Sequence, residues 1–591
     1  MELRNIILPS RGRSTTWDID IANDNIITSI RPAAAATANN DGTATEGEQP
    51  PPPPPPSVVL PTLCHPHVHL DKAYILTCNH PRSSSPDRHD HDHPDYADLA
   101  PQDGSFQEAL RNTARAKERY TPADLRLRGA QLLAAGYAQG VTCARAFVEV
   151  DRVTGTRGVA AAAELRRQFA GLVDVQVCAF AQDPVFSSSS SSSSADHDDD
   201  DGGENRREME RALREHAADV DVLGATPYVE ASRGTSLANI DWAVRTALER
   251  GLHLDFHLDY NLGDHDHRGY SRPDELPLVY AVLCYLHAHD WVGRADPAKT
   301  VVLGHCTQLT RLAHDDLRDL AALIRAWKLP VHFVGLPTSD IYMMGRPAGG
   351  SARDGGEMLD IEALAESTPR DKLGDFNTHY ERMLAALRRR RHRRSGSRDR
   401  REPGGGGGGD DDEQAPHSRP RGTLQVPDLI KDYGLDACLG VNNVGNAFTP
   451  FGTGDPLQLA SWGVGLYHAG TPADAELLYG CVSWRARRAI GCVSRRREQE
   501  QQQQQQQQLG KEEEDEQELR EGEAWRPMLM FKNQREIEIG GGGAGPGKPA
   551  VSVPARQRRD IKDIVWDPPE ASLRQVLQNV EATASPPRTM T

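Results

Sequence analysis

Short apolar runs alternate with helical stretches from about residue 58 to residue 470, and few architectures absorb that pattern. The runs fall at 140–145, 173–180, 252–257, 301–305, 331–334 and 437–440. Helical sequence lies between them. Thr121 is placed to cap a helix that has Pro122 in its first turn and ends near Gln139. Another helix is predicted over 237–250, with Ser236 as N-cap and Gly251 as its stop. Further helical patterns lie near 274–289, 311–327 and 357–367. Alternation of this kind builds a parallel α/β architecture, because each parallel pair needs a crossover. The length suits a (β/α)8 TIM barrel interrupted by insertions better than an open sheet.

Hydrophobic residues are 38% of the 591, low for a folded enzyme, but the deficit is local. Four biased stretches lie near 33–57, 187–205, 386–425 and 494–523. Removing them leaves about 477 residues, ample for one large domain and a small one. The proline run 50–56 reads as an extended linker. The serine run 187–194, the Arg/Gly-rich block 386–425 and the glutamine run 501–508 read as disordered, solvated insertions. Before them, 3–31 holds two or three short strands, with the alternation Asp18-Ile19-Asp20-Ile21. Val58-Val59-Leu60 is a further short strand.

Charge and composition exclude several classes of function. Lys and Arg number 68 against 85 Asp and Glu, a net charge of −17, so a general nucleic-acid binder is not expected. No apolar run approaches the ~20 residues of a membrane span. Met1-Glu2-Leu3-Arg4-Asn5 does not begin a secretory signal. The nine cysteines are spread widely with no CxxC, which points to reduced thiols and a cytoplasmic location. Homo-oligomerisation is left open.

The chemistry concentrates in His67-Val68-His69, directly after the Val58–Leu60 strand and Pro61 to Pro66. Residues i and i+2 of a strand point to one side, so these two imidazoles can bind one divalent metal. His257 and His305 also end predicted strands. In a barrel all four would share the C-terminal face, where sites are built. Other histidines carry less weight. His89, His91, His93, His265 and His267 sit in loop-like sequence, and His253 and His332 lie within predicted strands as core or supporting groups. Gly540–Gly543 lacks the strand–loop–helix context of a phosphate cradle.

Pro66-His67-Val68-His69-Leu70-Asp71-Lys72 resembles the first metal motif of the amidohydrolase superfamily, in its cytosine-deaminase-like branch. The resemblance continues in order through Gly140-Val141-Thr142 with Arg145, then Val175 to Gln182, Asp221 to Pro227 and His257-Leu258-Asp259. It ends with Gly304-His305-Cys306-Thr307, Leu336 to Arg346, Gly440-Val441-Asn442-Asn443-Val444 and Thr449 to Gly454. It covers roughly 58–470 outside the insertions. It implies a barrel over 58–493, and a small β-sandwich domain formed by the N-terminal strands in 1–32 and by 524–591, the latter after a low-complexity linker at 494–523. It also implies a metal-dependent hydrolase of non-peptide C–N bonds, holding one Zn or Fe ion and deaminating a small nitrogen heterocycle. His67, His69 and His257 would be ligands, His305 would polarise the attacking water, and Gln182 would read the ring edge.

Three positions depart from the family pattern. Asn442 stands where the family has an Asp that ligates the metal and accepts a proton; its amide can coordinate through oxygen but cannot take the proton. Tyr260 stands where the family has a proton-shuttling Glu, and Phe147 replaces a histidine found in many members. Asp259 is the first choice of replacement carboxylate, ahead of Asp71 and Glu230. Lys72 reads as a structural or substrate-carboxylate contact. Two other readings stand beside deamination: a catalytically impaired protein that binds a small molecule, and an amidohydrolase of a different C–N bond. Metal content separates the first, and a nitrogen-release screen the second.

Overall fold

The computed structural model describes residues 1–33, 54–78, 93–186, 201–260, 276–344, 422–492, 518–539 and 551–578. The helical pattern at 357–367, the serine and glutamine runs, most of the proline-rich linker and of the 386–425 block, Gly540–Gly543, and His89, His91, His265 and His267 lie outside these residues. Among the described residues no helix is long and apolar enough to cross a membrane.

The N-terminal strands are β1 (Glu2–Ile7), β2 (Thr16–Ile21), β3 (Ile27–Pro32) and β4 (Ser57–Pro61). The barrel strands are β5 (Leu63–His69), β6 (Val141–Glu149), β7 (Asp174–Ala181), β8 (Val222–Ala225), β9 (His253–Leu258), β10 (Val301–His305), β11 (Val331–Gly335) and β12 (Ala437–Leu439). Four more follow: β13 (Met528–Phe531), β14 (Glu536–Ile539), β15 (Val551–Pro554) and β16 (Arg574–Leu577).

Strands β5 to β12 lie in sequence order in one eight-stranded parallel sheet. The residue that closes it is Asn442. Its N–H donates to the His67 carbonyl at 3.0 Å, and its carbonyl accepts from the His69 N–H at 2.8 Å. The first and eighth strand positions therefore meet through one backbone, and the sheet becomes a TIM barrel. Helices cover its outside. The Pro122–Gln139 helix starts on Thr121, whose side chain accepts from the Asp124 N–H, and stops on left-handed Gly140. The helix predicted over 237–250 begins earlier, at Arg233, because Ser232 and Thr235 form a capping box ahead of Ser236. It stops at Gly251 as expected. A helix over Asp201–Glu215 also intrudes on the insertion predicted near 187–205.

The chain ends build a separate six-stranded sheet in the order β16-β13-β4-β1-β2-β3, antiparallel except for the β1–β4 pair. Ile19 and Ile21 of the alternating segment are buried in its core with Leu3, Val59, Trp525 and Met528. Strand β4 belongs to this sheet, although it precedes the barrel motif directly. Its Val59 faces the small core while Val58 and Leu60 pack with the barrel core, so β4 ties the two together. A separate β14–β15 ladder completes the described strands.

Candidate metal centre at the barrel mouth

The His-Val-His motif reaches the barrel interior through an irregularity in β5. Along its pairing with β6, His65 sits opposite Ala144 but Val68 opposite Ala146. Three steps of β5 thus match two of β6, the signature of a bulge. Pro66 lies in it, where the missing N–H costs no ladder bond. The extra residue reverses the alternation: His65 turns outward against Gly136, and His67 and His69 turn inward. Gly304 and Gly440 leave room for His67; a Cβ on Gly304 would lie 3.2 Å from its Cε1, and one on Gly440 3.2 Å from its Cβ.

Inside, three histidines converge. The Nε2 atoms of His67 and His257 are 3.0 Å apart, and those of His69 and His257 3.3 Å. All three residues are buried. Burial, with neighbouring imidazoles and cations, holds their pKa values well below the usual 6.5, so the rings are neutral and present lone pairs. Three neutral imidazoles aimed at one point make poor hydrogen-bond partners for each other and good ligands for one cation. The buried Oδ1 of Asn442 has no hydrogen-bond partner, and its amide lies beside His69. A fourth donor oxygen is thus at hand, and the residues fit a divalent ion.

Aromatic rings wall the cluster. Phe147 lies 4.0 Å from the His67 ring centroid, and Phe180 4.3 Å from that of His257. Asp255, two residues before His257, approaches the Nδ1 of His67 at 3.7 Å and is itself gripped by Arg145 at 2.8 Å. Burial raises the Asp255 carboxyl to about 7 despite that guanidinium. The sequence signal for it was present: His253, Asp255 and His257 share the inward period of β9.

His305 joins the cleft but not the triad. It ends β10 in a left-handed conformation, φ 64°, and its Nδ1 lies 2.7 Å from the Asp340 Oδ1. The other Asp340 oxygen accepts from the Thr423 hydroxyl at 2.7 Å. Asp340 was given no role by the sequence, and nothing local marks it, since it sits on a separate helix, Pro337–Met343. The cleft, about 380 Å³ measured out to its open mouth, is lined by His69, His257, His305, Asn442 and Gln182 among others. Asn443, Lys72 and Ser339 add polar groups, while Phe106, Tyr228, Tyr260, Met343 and Phe448 supply apolar walls. Tyr260 stands 4.7 Å from the His305 ring.

The alternative carboxylates are placed elsewhere. Asp259 does not line the cleft: its oxygens accept from the Leu278 and Val279 N–H groups at 2.8 and 3.0 Å, capping the Leu278–Ala288 helix. That geometry makes it an anchor for a helix. Glu230 accepts from the Val185 N–H and from Asn239, holding the loop after β7. Asp71 accepts from the Glu149 N–H at 2.8 Å. Lys72 pairs with Glu149 at 2.5 Å, and Glu149 also meets Lys117, which reaches Asp151 and Asp183. His253 bonds Thr300 within the core, and His332 is buried.

No family model and no curated protein matches the sequence. Solved structures do. The 5-methylcytosine deaminase of Klebsiella pneumoniae liganded with 5-fluorocytosine superposes with a TM-score of 0.54 at 18% identity, over 83% of this chain and 86% of that one. The same enzyme with phosphonocytosine gives 0.53 at 18%, over 83% and 87%. N-isopropylammelide isopropylaminohydrolase from Burkholderia multivorans gives 0.45 at 18%, over 83% and 86%. With its closed eight-stranded barrel and its sheet of joined chain ends, this chain shares the fold of that 5-methylcytosine deaminase.

Proposed function

We propose that this protein is a metal-dependent hydrolase of non-peptide C–N bonds that deaminates a small nitrogen heterocycle, a cyclic amine or amide. The observation that carries the reading is the convergence of the His67, His69 and His257 Nε2 atoms at the barrel mouth. These three, with the Asn442 amide oxygen, would hold one zinc or iron ion. When bound, such an ion lowers the pKa of a coordinated water toward neutrality. The chain's own groups do the rest. Gln182 and Asn443 offer amide donors and acceptors to the edge of a planar ring. Phe106, Tyr228 and Phe448 cover its faces and exclude water. His305 receives the proton at Nε2, because the Asp340 carboxylate engages Nδ1 and fixes the tautomer.

The test is metal analysis of the purified full-length protein together with ammonia release from a panel of pyrimidines, triazines and cyclic amides. Stoichiometric metal and release from any of them support the reading. Metal without ammonia points to a different C–N bond. Neither metal nor ammonia points to the second reading, a small-molecule binding protein, which Asn442 and Tyr260 favour because neither side chain is a carboxylate.

A further inference from the structure

The barrel end away from the histidines carries another group of ligand atoms. Cys64, Cys143 and Asp174 are register partners across β5, β6 and β7, all at or near the N-terminal ends of their strands. Neighbours in parallel register project to the same side, so the row reads thiol, thiol, carboxylate. The chain returns to this row after the Trp484–Ala489 helix, which packs against β5, β11 and β12 and delivers Cys492. The Cys492 Sγ lies 3.3 Å from an Asp174 carboxylate oxygen. Ligand atoms of Cys143, Asp174 and Cys492 all lie within 4.8 Å of one another. Cys143 also makes side-chain contact with Cys64.

Buried cysteines are common as apolar filler, and Cys438 in the same floor cluster fits that description. Filler does not explain this group. Apolar packing gains nothing from a carboxylate against a sulfur, and Cys492 is only half-buried. A disulfide would use two sulfurs and would not engage Asp174, which stands exposed at the edge of the group. Two sulfurs and one carboxylate oxygen suit a thiophilic cation. Tetrahedral zinc with Zn–S near 2.3 Å needs sulfurs about 3.8 Å apart, which fits inside the observed spread. Cys64 stands next to Cys143 as a further donor.

We propose that Cys143, Cys492 and Asp174 form a second, thiolate-rich metal site on the barrel floor, for a thiophilic divalent cation of the zinc class. Its role is structural. It joins the starts of β6 and β7 to the chain that leaves the barrel after the Trp484–Ala489 helix. Binding replaces the two thiol protons, which pass to solvent. The site stands independently of the proposed hydrolase activity.

Cobalt(II) provides the test, because thiolate ligands give near-ultraviolet charge-transfer bands that imidazole ligands do not. The reduced full-length protein is titrated with cobalt, beside a His67→Ala/His69→Ala variant and a Cys492→Ser variant. The bands are expected in the wild type and in the histidine variant, and Cys492→Ser should weaken the cobalt affinity read from them at least ~10-fold. Cys492 is half-buried, so its replacement leaves the core intact, and circular dichroism checks this. Asp174→Asn is the second variant and should also weaken the bands. Absence of the bands in reduced wild-type protein overturns the proposal, as does an unchanged cobalt affinity in Cys492→Ser. A Cys143–Cys492 disulfide in protein purified without reductant, with no cobalt–thiolate band after reduction, overturns it in favour of a redox pair.

Discussion

His305 and Asp340 meet at 2.7 Å, joining the end of β10 to a helix 35 residues further along the chain. Asp340 is fully buried and its second oxygen is held by Thr423, so the imidazole has one orientation available. Asp340→Asn keeps the shape and removes the carboxylate acceptor that fixes the Nδ1–H tautomer. A general base contributes ~10²–10⁴-fold to rate. The expected result is a fall of about 10²-fold in kcat with KM nearly unchanged and metal content intact, measured on the substrate found by the ammonia screen. A parallel loss of metal would mean that Asp340 supports the whole site instead.

Gly304 marks a tight place beside the proposed metal ligand His67. A Cβ there meets the His67 ring at 3.2 Å and the Phe256 carbonyl at 3.4 Å. Gly304→Ala therefore requires the His67 ring to shift by a few tenths of an ångström. Supports that orient ligands are worth ~10–100-fold in metal affinity, and a loss in that range is expected. Competition with a chelator measures it. Unchanged affinity would show that His67 has slack or is not a ligand.

Barrel strands and their alternation with helices were legible because each strand is short, apolar and bounded by turn residues. The histidines were legible because period two and strand ends locate them without any tertiary contact. The bulge at Pro66 was not, since it shows only in the pairing of β5 with β6. Nor was the membership of β4, whose partners β1 and β13 come from opposite ends of the chain. The placement of Asp259 was hidden for a related reason. It follows His257 by two, but left-handed backbone at Asp259, φ 47°, breaks the strand alternation and sends the carboxylate to a helix start. Asp340 carries no local mark at all, because its function exists only through a partner on another element.

Buried histidines outside the triad, His332 and His253 among them, set an acid limit on stability. Burial lowers His332 to about 4 and His253 to about 2 from the usual 6.5. Each folded pKa lies below its unfolded value, so the unfolded chain binds more protons as pH falls. Their contribution is complete above pH 6.5 and is lost as pH falls through about 4 for His332 and further for His253. For His332 the change corresponds to about 3 kcal/mol. Denaturant unfolding between pH 7.5 and 4 should show this decline, and His332→Leu should flatten part of it. An unchanged slope in that variant would assign the acid sensitivity to other groups.

Asn442 and Tyr260 together decide how much deamination the site can support. Asn442 has φ 63°, a conformation that Asp tolerates as well as Asn, and its barrel-closing hydrogen bonds use only the backbone. Asn442→Asp is therefore expected to fold. Its buried carboxylate gains little from neutral imidazoles and much from a cation, so the variant should melt lower than wild type without metal and gain more on adding zinc. Tyr260→Glu brings a carboxylate in place of a ring that now packs between Phe106 and His305. A phenol with an ordinary pKa of ~10 is a poor base at neutral pH, whereas a carboxylate can take the proton. The double variant should raise cytosine deamination by ~10²-fold or more while metal content holds. Brisk cytosine turnover by the unmodified protein would refute this, because the His305–Asp340 pair would then already move every proton the reaction needs. No gain in the variant, with no metal bound in either protein, would favour a binding role for the cleft. The comparison isolates proton transfer, because it adds two carboxylates and leaves His67, His69, His257 and His305 as they are.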